Sequence, residues 1–328
     1  MGVADMPATD MPATEMPAVP PTRFTYLGPQ ATFAEQALRT LPAARTGVST
    51  PSASVPAALD AVRSGDADAA LVPLENSVEG AVSVTLDELA MGGPLVIVRE
   101  VLLPVRFVLV GRDGTTIDEV RTVATHPHGE AQCRGWLREN LPNASVHNAL
   151  STSEAAAAVA RGEYDAALAA PLAAERHHLT VLAEDAHDTD GAVTRFVLVA
   201  RPGPPPERTA SDRTTFVAFI ADNHTGALLE VLTELAVRGI DLTRIESRPT
   251  KEQLGRYCFS IDCAGHIADT RVGEALAALR RICADVRFLG SYPRADDDAA
   301  PQRTGTTDSD FADAAAWLAR IRAGDPVG

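Results

Sequence analysis

The length, composition and charge of the chain exclude several classes of protein. With 328 residues, 45% of them hydrophobic, the chain has the length for two or three domains with buried cores and is not intrinsically disordered. Its 29 basic and 44 acidic residues leave a net charge of −15, which argues against a nucleic-acid-binding or membrane-binding surface. Lys251 is the only lysine and follows no glycine-rich loop, which argues against pyridoxal phosphate or Schiff-base chemistry and against a P-loop.

Cysteine and histidine patterns predict a protein without a metal or a redox cofactor. The four cysteines form no C-x-x-C pair, and no leader or long apolar span opens the chain, so we expect a reduced, cytoplasmic, soluble protein. His126, His128, His177 and His178 lie close in sequence without a cysteine or carboxylate at a ligand spacing, which favours surface or loop positions. No G-x-G-x-x-G follows a predicted strand, which argues against a dinucleotide cofactor.

Apolar runs alternate with Ala- and Leu-rich helical segments from Arg23 onward, after a proline-rich segment (1–22) that we expect to be a flexible tail. This alternation predicts α/β architecture, and nine strands are too many for one compact sheet of average size. The predicted strands lie near 23–27, 68–74, 95–103, 106–112, 122–126, 145–150, 165–170, 179–185 and 194–200. The predicted helices start near Thr32, Val84, Glu130, Ser153 and Pro171. Two α/β lobes with a cleft between them fit this pattern best.

A second domain follows a proline-rich boundary at 201–213. Its elements run strand, helix, strand, strand, helix, strand in about 80 residues, which is the pattern of a ferredoxin-like domain. The predicted elements lie at 214–223, 226–237, 242–249, 256–263, 272–282 and 285–293. In the acidic tail that follows, an apolar stripe (Phe311, Ala315, Leu318, Ile321) predicts a short docking helix.

Several helices in the first region start directly after a strand and carry N-terminal capping signals. Thr32 to Glu35 and Ser151 to Glu154 have the pattern of capping boxes, and Pro127 and Pro171 stand at expected first-turn positions. Each signal, taken singly, is explained more simply by a helix cap than by a binding site. Together they place helix N-termini at the carboxyl ends of strands, where free N–H groups attract anions. In so acidic a chain, this arrangement predicts a pocket for a small molecule that carries carboxylates.

Two strand ends carry more polar groups than structure requires. The segment PLENSVEG places Glu75, Asn76 and Ser77 after a buried strand, and TDGAVTRF places Thr194 and Arg195 at the start of another. A structural ion pair between Glu75 and Arg195 is the competing interpretation of the two charged residues.

Seven motifs in order resemble those of a monofunctional prephenate dehydratase with a C-terminal ACT regulatory domain. The motifs are YLGPQATF (26–33), DAALVPLENSVEGAV (68–82), THPHGEAQC (125–133), STSEAA (151–156), VTRF (193–196), TGALLEVL (225–232) and ESRP (246–249). The resemblance implies a two-lobed, periplasmic-binding-protein-like α/β catalytic domain at 23–203 and a ferredoxin-like ACT domain at 214–293. Lobe one would comprise 23–100 with 190–203, lobe two 101–189, the linker 204–213, and the tail 294–328. This sequence departs from the family's usual residues at Ala31, Thr125, His128, Ala192 and Thr225.

The resemblance also implies the reaction and the residues that carry it. Prephenate would lose CO2 and water to give phenylpyruvate, with no cofactor. Thr194, Arg195 and Glu75 would be catalytic: Thr194 would hydrogen-bond the leaving hydroxyl, Arg195 would grip the pyruvyl carboxylate, and Glu75 or His126 would supply the proton. The implied substrate contacts are Gln30, Thr32, Asn76, Ser77, Thr125, His126, Ser151, Thr152, Ser153 and Phe196. The implied contacts for the effector L-phenylalanine are Asn223, Gly226, Ala227, Leu228, Glu246, Ser247 and Arg248.

Other functions remain open at the level of sequence. Arogenate dehydratase would perform the same chemistry on an amino analogue of prephenate. A non-catalytic binding protein would share the two lobes, and an amino-acid sensor would use the ACT domain alone. The ACT domain could also serve only to dimerise the chain, and we expect a homodimer or homotetramer because ACT sheets commonly pair across subunits.

Overall fold

A computed structural model describes residues 22–221, 224–251, 256–296 and 303–324, so the predicted N-terminal tail lies outside the described residues except for Thr22. The strands are β1 Arg23–Leu27, β2 Val48–Ser52, β3 Ala69–Asn76, β4 Gly80–Ala81, β5 Val96–Pro104, β6 Val108–Gly111, β7 Thr122–Thr125, β8 Ser145–Asn148, β9 Ala166–Ala169, β10 Thr180–Ala183, β11 Val193–Ala200, β12 Asp212–Phe219, β13 Leu242–Pro249, β14 Tyr257–Ala264 and β15 Asp285–Pro293. The helices are α1 Phe33–Thr40, α2 Pro42–Thr46, α3 Val55–Ser64, α4 Ser83–Met91, α5 Pro127–Asn140, α6 Thr152–Ala160, α7 Pro171–His177, α8 Ala227–Ala236, α9 Thr270–Ile282 and α10 Asp308–Ala323.

Lobe one is a sheet of order β2-β1-β3-β11-β5 with β4 added to β3. β1 pairs in parallel with β2 and β3, whereas β11 runs antiparallel to β3 and β5. The central strands read as nearly continuous apolar runs because helices and loops cover both faces. Phe24 and Leu38 belong to the core on one face, and Leu59 and Leu86 to the core on the other.

Lobe two is a sheet of order β10-β6-β9-β7-β8. The chain crosses into it later than the predicted boundary at residue 100, because β5 continues to Pro104, which pairs with Val193 of β11. Immediately after this pair, the Val105 amide donates to the Ala192 carbonyl at 2.7 Å. The outgoing and returning chains therefore lie side by side between the lobes.

The C-terminal domain has the predicted order β12-α8-β13-β14-α9-β15, with an antiparallel sheet of order β13-β14-β12-β15. This domain shares a hydrophobic core with lobe one, in which Leu289 and Tyr292 pack with Ile97 and Leu89. Strand β15 lies so close to β5 that a Cβ on Gly290 would stand 2.2 Å from the Ile97 carbonyl oxygen. The two domains therefore meet backbone against backbone.

The predicted C-terminal helix forms, but its apolar stripe does not dock. Its start is attached, since the Asp308 carboxylate accepts from Arg208 NH1 at 2.7 Å and from the Thr270 amide at 2.9 Å. Beyond that turn the helix stands away from the domain, and Trp317 and Leu318 are 50% and 39% exposed. The stripe is therefore not docked on the described residues of this chain. Across all the described ranges, no helix is both long and apolar enough to cross a membrane.

Asp68 anchors the start of β1 and makes the stability of the protein dependent on pH. Its carboxylate accepts from the Arg23 side chain at 2.6 Å and from the Arg23 amide at 3.0 Å. The Arg23 hydrogen bond, opposed by burial, lowers the pKa of Asp68 from 3.8 to about 2. A lowered pKa in the folded state contributes stability above the unfolded value, which is lost as the pH falls through the folded value.

We expect Asp68→Asn to destabilise the protein by about 1 kcal/mol at pH 7, because solvent screens the half-exposed Arg23. The difference from the unsubstituted protein should shrink as the pH falls from 4 to 2, since the carboxyl of the unfolded chain is protonated near pH 3.8 and that of the folded protein only near pH 2. Urea denaturation at a series of pH values measures this, with Asp113→Asn in an exposed turn as the control. A difference that is the same at pH 2 and pH 7 would contradict the assignment.

Candidate active site

The two lobes face each other across a cleft formed by the carboxyl ends of their parallel strands. From lobe one come the segments after β1 and β3, and from lobe two those after β7 and β8. Three contacts join the rims. The Ser153 hydroxyl donates to the Gln30 carbonyl, and Gln132 Nε2 donates to Glu79 Oε1 at 2.6 Å. The ring of Phe33 lies edge-on to the ring of Phe107 in lobe two. Such a crevice at strand ends is where open α/β sheets bind ligands.

Thr194 lies at this rim, and its hydroxyl has a defined orientation. Asn76 Nδ2 donates to Thr194 Oγ1 at 2.8 Å. The Asn76 amide cannot be flipped, because its Oδ1 accepts from the amides of Val78 and Glu79 at 2.8 and 3.0 Å. Since the hydroxyl oxygen of Thr194 accepts a hydrogen bond, its proton is available for donation. The arrangement therefore creates a hydrogen-bond donor at the start of β11.

A β-bulge and a pair of hydrogen bonds fix this start of β11. Arg195 pairs with Glu75 but Phe196 pairs with Pro73, so β3 carries one extra residue at this point. Ser77 closes the pairing, since its Oγ accepts from the Val193 amide and its amide donates to the Val193 carbonyl, both at 2.9 Å. Bulges next to functional sites re-aim side chains.

Arg195 is turned into the domain junction and is 6% exposed. Its Nε donates to Glu100 at 2.7 Å, its NH1 to Asp262 of β14 at 2.5 Å, and its NH2 to the Tyr292 hydroxyl at 2.9 Å. The prediction that Arg195 grips a substrate carboxylate does not fit this placement, because each guanidinium nitrogen already has a buried partner. The alternative pair with Glu75 is present only at 3.8 Å.

His126 is half-buried at the start of α5 and is held in one tautomer. Its Nδ1 accepts from the His128 amide at 3.2 Å, so the ring proton of the neutral form lies on Nε2. Burial and the neighbouring His128 lower the pKa of His126, against an opposing effect of Glu79. The ring of His128 in turn contacts Glu79 across the cleft at 2.9 Å. At neutral pH, His126 therefore offers an N–H donor.

Several predicted substrate contacts have structural partners. Thr125 is fully buried and its hydroxyl donates to the Leu168 carbonyl at 3.1 Å. Phe196 lies in the core of lobe one, where it is 3% exposed and has no route to a ligand. The hydroxyls of Thr32 and Ser151 accept from the amides of residues 35 and 154 and so cap α1 and α6. Of the predicted substrate contacts not yet described, Gln30 lies on the loop after β1 and Thr152 is the first residue of α6.

Ala31 belongs to the loop after β1 of lobe one, but its side chain packs in the core of lobe two. Its φ of 62° is in the left-handed region, where the family's usual glycine is favoured. The methyl group is completely buried in the core of lobe two, and the Ala31 amide donates to Glu35 at 2.6 Å. Glu35 was predicted only as a capping-box residue, yet it also accepts from the Tyr26 hydroxyl at 3.1 Å. This packing and these bonds hold an alanine in a conformation that is normally unfavourable for it.

The predicted effector residues are divided between two places. A cavity of about 150 Å³ opens at the head of α8, and Ala227 lines it together with Ile220, Ala221, His224, Glu230, Val231, Ile282 and Cys283. Gly226 precedes α8 with φ +97°, Leu228 lies in its first turn, and Asn223 lies outside the described residues. Glu246 and Ser247 lie on β13 and do not line this cavity.

Arg248, the next residue on β13, contacts the catalytic domain instead. Its Nε and NH2 donate to the two carboxylate oxygens of Asp87 at 2.9 and 3.1 Å, and Lys251 Nζ is 2.7 Å from the same carboxylate. Asp87 lies on α4, the helix that follows the polar segment after β3. The strand predicted to bind the effector is thereby attached to lobe one.

Sequence reasoning missed the charged residues that surround Arg195. The signal was available, because Glu100 interrupts the apolar run VREVLL and Asp262 interrupts FSIDC. A carboxylate in the middle of a strand that is otherwise buried requires a buried partner. Within the described ranges, no group of three or more His, Cys, Asp or Glu side chains is arranged to hold a metal ion.

Comparison with known proteins assigns both domains. Residues 24–204 match the prephenate dehydratase family model, and residues 215–281 match the ACT domain model. The prephenate dehydratase of Amycolatopsis methanolica is 53% identical over 93% of this chain and 99% of its own length. That of Mycobacterium tuberculosis strain H37Ra is 50% identical over 93% of this chain and 95% of its own.

A solved structure agrees over both domains. The crystal structure of prephenate dehydratase in complex with L-Phe from Arthrobacter aurescens superposes with a TM-score of 0.87 at 50% identity, covering 91% of this chain and 98% of that one. A two-lobed catalytic domain that resembles periplasmic binding proteins, followed by a ferredoxin-like domain, is thus the fold of both. The chain belongs to the prephenate dehydratase family and carries a C-terminal ACT domain.

Proposed function

We propose that this protein is a carbon–oxygen lyase that converts prephenate to phenylpyruvate, CO2 and water in L-phenylalanine biosynthesis, with L-phenylalanine as its feedback effector. The observation that carries the proposal is the Thr194 hydroxyl, whose oxygen accepts from Asn76 Nδ2 at 2.8 Å, so that its own proton is left for donation. The family membership and the L-Phe complex of the Arthrobacter relative support the two halves of the proposal.

The reaction balances without an added oxidant or reductant. The ring carboxylate leaves as CO2, the electron pair of its C–C bond enters the ring, and the C–O bond to the ring hydroxyl breaks. The departing hydroxide takes up one proton and leaves as water. Formation of the aromatic ring supplies the driving force, so the protein's task is to stabilise the charge that develops on the leaving oxygen.

The residues at the rim divide this task. The Thr194 hydroxyl donates a hydrogen bond to the leaving oxygen. The proton comes from Glu75, the cross-strand partner of Arg195, or from His126, which gives up its Nε2 proton only from the protonated imidazolium form. Backbone N–H groups in the first turns of α5 and α6 receive the substrate carboxylates. Arg195 holds β11 in position from behind.

The direct test is turnover of the purified protein with prephenate, followed by the absorbance of phenylpyruvate in alkali. Arogenate is run alongside, and L-phenylalanine is titrated in. Turnover of prephenate that phenylalanine suppresses supports the proposal. Turnover of arogenate alone would reassign the substrate, and phenylalanine binding without any product would leave an amino-acid sensor.

The effector site gives a separate prediction. We expect Gly226→Val to lower the affinity for L-phenylalanine at least tenfold, because φ +97° is unfavourable for valine and the substitution disturbs the backbone at the head of α8. Isothermal titration calorimetry measures this, with Gly305→Ala, at φ +83° in open space, as the control. Unchanged affinity would place the effector elsewhere and favour an ACT domain that serves only in assembly.

The proposal includes a homodimer or homotetramer. Strand β13 is an edge strand of the ACT sheet in the described chain, and Ile245 on it is 36% exposed. An unpaired strand edge of this kind is suited to pairing with a second copy. We also place the protein in the cytoplasm, since all four cysteines are free thiols. Sedimentation velocity measures the assembly state.

A further inference from the structure

A cluster of buried charges lies where β5 and β11 of lobe one meet the ACT sheet. We call it the junction cluster, and its members are Glu100, Arg195, Arg213, Arg244, Asp262 and Tyr292. Every member is less than 9% exposed. Arg213, Arg244, Asp262 and Tyr292 come from the ACT domain. Charges are buried at such a site only when each is closely paired.

Asp262 holds the centre of the junction cluster. Its Oδ2 accepts from Arg195 NH1 at 2.5 Å and from Arg244 Nε at 3.0 Å, and its Oδ1 accepts from Arg244 NH2 at 3.0 Å and from the Thr215 hydroxyl at 2.9 Å. Burial alone would raise the pKa of Asp262, but Arg195 and Arg244 hold it far below its ordinary value. Asp262 is therefore a permanent anion that belongs to one domain and binds an arginine of the other.

Two further groups complete the hold on Arg195. Glu100 Oε2 accepts from Arg195 Nε at 2.7 Å and from Arg213 NH1 at 2.5 Å, and Tyr292 accepts from Arg195 NH2 at 2.9 Å. The guanidinium is thus fixed at three points, of which Asp262 and Tyr292 belong to the ACT domain. Because the guanidinium group is planar, hydrogen bonds from all three of its nitrogens fix the orientation of the whole group.

The fixed side chain is the immediate neighbour of the proposed catalytic hydroxyl. Thr194 and Arg195 are consecutive on β11 and pair with Asn76 and Glu75, at the edge of the β-bulge. Successive side chains on a strand point to opposite faces, so a displacement of Arg195 rotates the backbone that carries Thr194. Misplacement of a catalytic group by about 1 Å can cost about 100-fold in rate.

The same cluster reaches the strand that carries the ESRP motif. Arg244 lies on β13, two residues before Glu246, and pairs across the sheet with Asp262 itself. A shift of β13 when the effector binds would therefore be transmitted to Arg244, to Asp262 and on to Arg195. Each step is a direct hydrogen-bonded contact between charged groups.

We propose that Asp262 is a positioning residue for the reaction, which anchors Arg195 and thereby Thr194, and that this contact couples effector binding in the ACT domain to turnover. The coupling half of this proposal rests on the proposed effector function, whereas the positioning half requires only turnover of prephenate.

The test compares Asp262→Asn and Tyr292→Phe with the unsubstituted full-length protein. Tyr292→Phe keeps the buried ring and removes only the hydroxyl that accepts from Arg195, so it decides the outcome if Asp262→Asn does not fold. We expect kcat to fall about 100-fold in Asp262→Asn and about tenfold in Tyr292→Phe, with KM within about threefold. The matched control is Asp285→Asn, which breaks an exposed ion pair with Arg280 of the same domain.

The second readout is the response to L-phenylalanine. We expect both variants to bind phenylalanine in calorimetry, while saturating phenylalanine inhibits their remaining activity by a smaller factor than it inhibits the unsubstituted protein. By reciprocity, prephenate should then alter phenylalanine affinity less than it does in that protein. A purely stabilising role would lower the thermal midpoint and leave kcat of the folded protein and the inhibition factor unchanged.

The outcomes separate the two proposals. If the unsubstituted protein turns over neither substrate, the proposed function fails. If it turns over prephenate and is inhibited, but a folded Tyr292→Phe or Asp262→Asn keeps wild-type kcat and full inhibition, as Asp285→Asn should, the role of Asp262 is overturned. Loss of kcat with full inhibition retained would overturn the coupling half alone.

Discussion

Thr194→Val lowers kcat for prephenate by about 10²- to 10³-fold while KM changes less than about threefold. Valine matches the shape of threonine but has no hydroxyl, so the leaving oxygen loses the donor that Asn76 orients at 2.8 Å. The interaction strengthens as negative charge develops on that oxygen, which is why the loss appears in kcat rather than in KM. Steady-state kinetics at several prephenate concentrations measures both constants.

Thr194→Ser is the matched control, because it keeps the hydroxyl and removes only a methyl group. We expect it to retain at least about a tenth of wild-type kcat. Asn76→Ala should behave in an intermediate way, since the hydroxyl remains but its oxygen and the turn at Val78 lose their hydrogen bonds. Wild-type kcat in Thr194→Val would remove the hydroxyl from the mechanism and leave Glu75 and His126 as the only proposed donors.

The local pattern of the chain predicted most of the elements, because helices and strands are specified over short distances. Thr32 caps α1, Ser151 caps α6, and the apolar run after residue 95 forms β5. The order of elements in the second domain also follows directly from its alternating periodicity. Such signals involve residues within four positions of one another.

The surroundings of Arg195 could not be predicted in the same way, because its partners are distant in sequence. Glu100 is 95 residues away, Asp262 is 67 and Tyr292 is 97. The local motif TRF suggested a side chain that faces the substrate, whereas the fold turns it towards another domain. Phe196 shows the same effect, since the motif suggested a ligand contact and the sheet buries the ring in its core. What a motif residue touches depends on which elements the fold brings against it.

The close packing of β15 against β5 requires a residue without a side chain at Gly290. Its φ of +137° is unfavourable for residues with a side chain, and a Cβ there would lie 2.2 Å from the Ile97 carbonyl oxygen and 3.2 Å from its nitrogen. β5 and β15 are the edge strands of their sheets and pack against each other in a shared core, where close-packed backbone atoms have little room to move. The junction cluster lies on the same two strands, through Glu100 of β5 and Tyr292 of β15.

We therefore expect Gly290→Ala to destabilise the protein by about 4 kcal/mol, the combined cost of overpacking and backbone strain. The thermal midpoint should fall by roughly 10 °C, and β15 should separate from β5. Because the separation moves Tyr292 away from Arg195, kcat of the protein that remains folded should fall as well. Differential scanning calorimetry and assays well below the midpoint measure the two effects independently.

Gly114→Ala separates the two causes, because Gly114 has φ +79° in a lobe-two turn and nothing within 4 Å of its Cβ position. That substitution carries backbone strain without a clash and should cost about 1 kcal/mol with kcat unchanged. If Gly290→Ala cost no more than Gly114→Ala, β15 and β5 would have room to move apart in solution. The domains would then be joined by their side chains, and the ACT sheet would be free to shift relative to Thr194 without breaking a backbone contact.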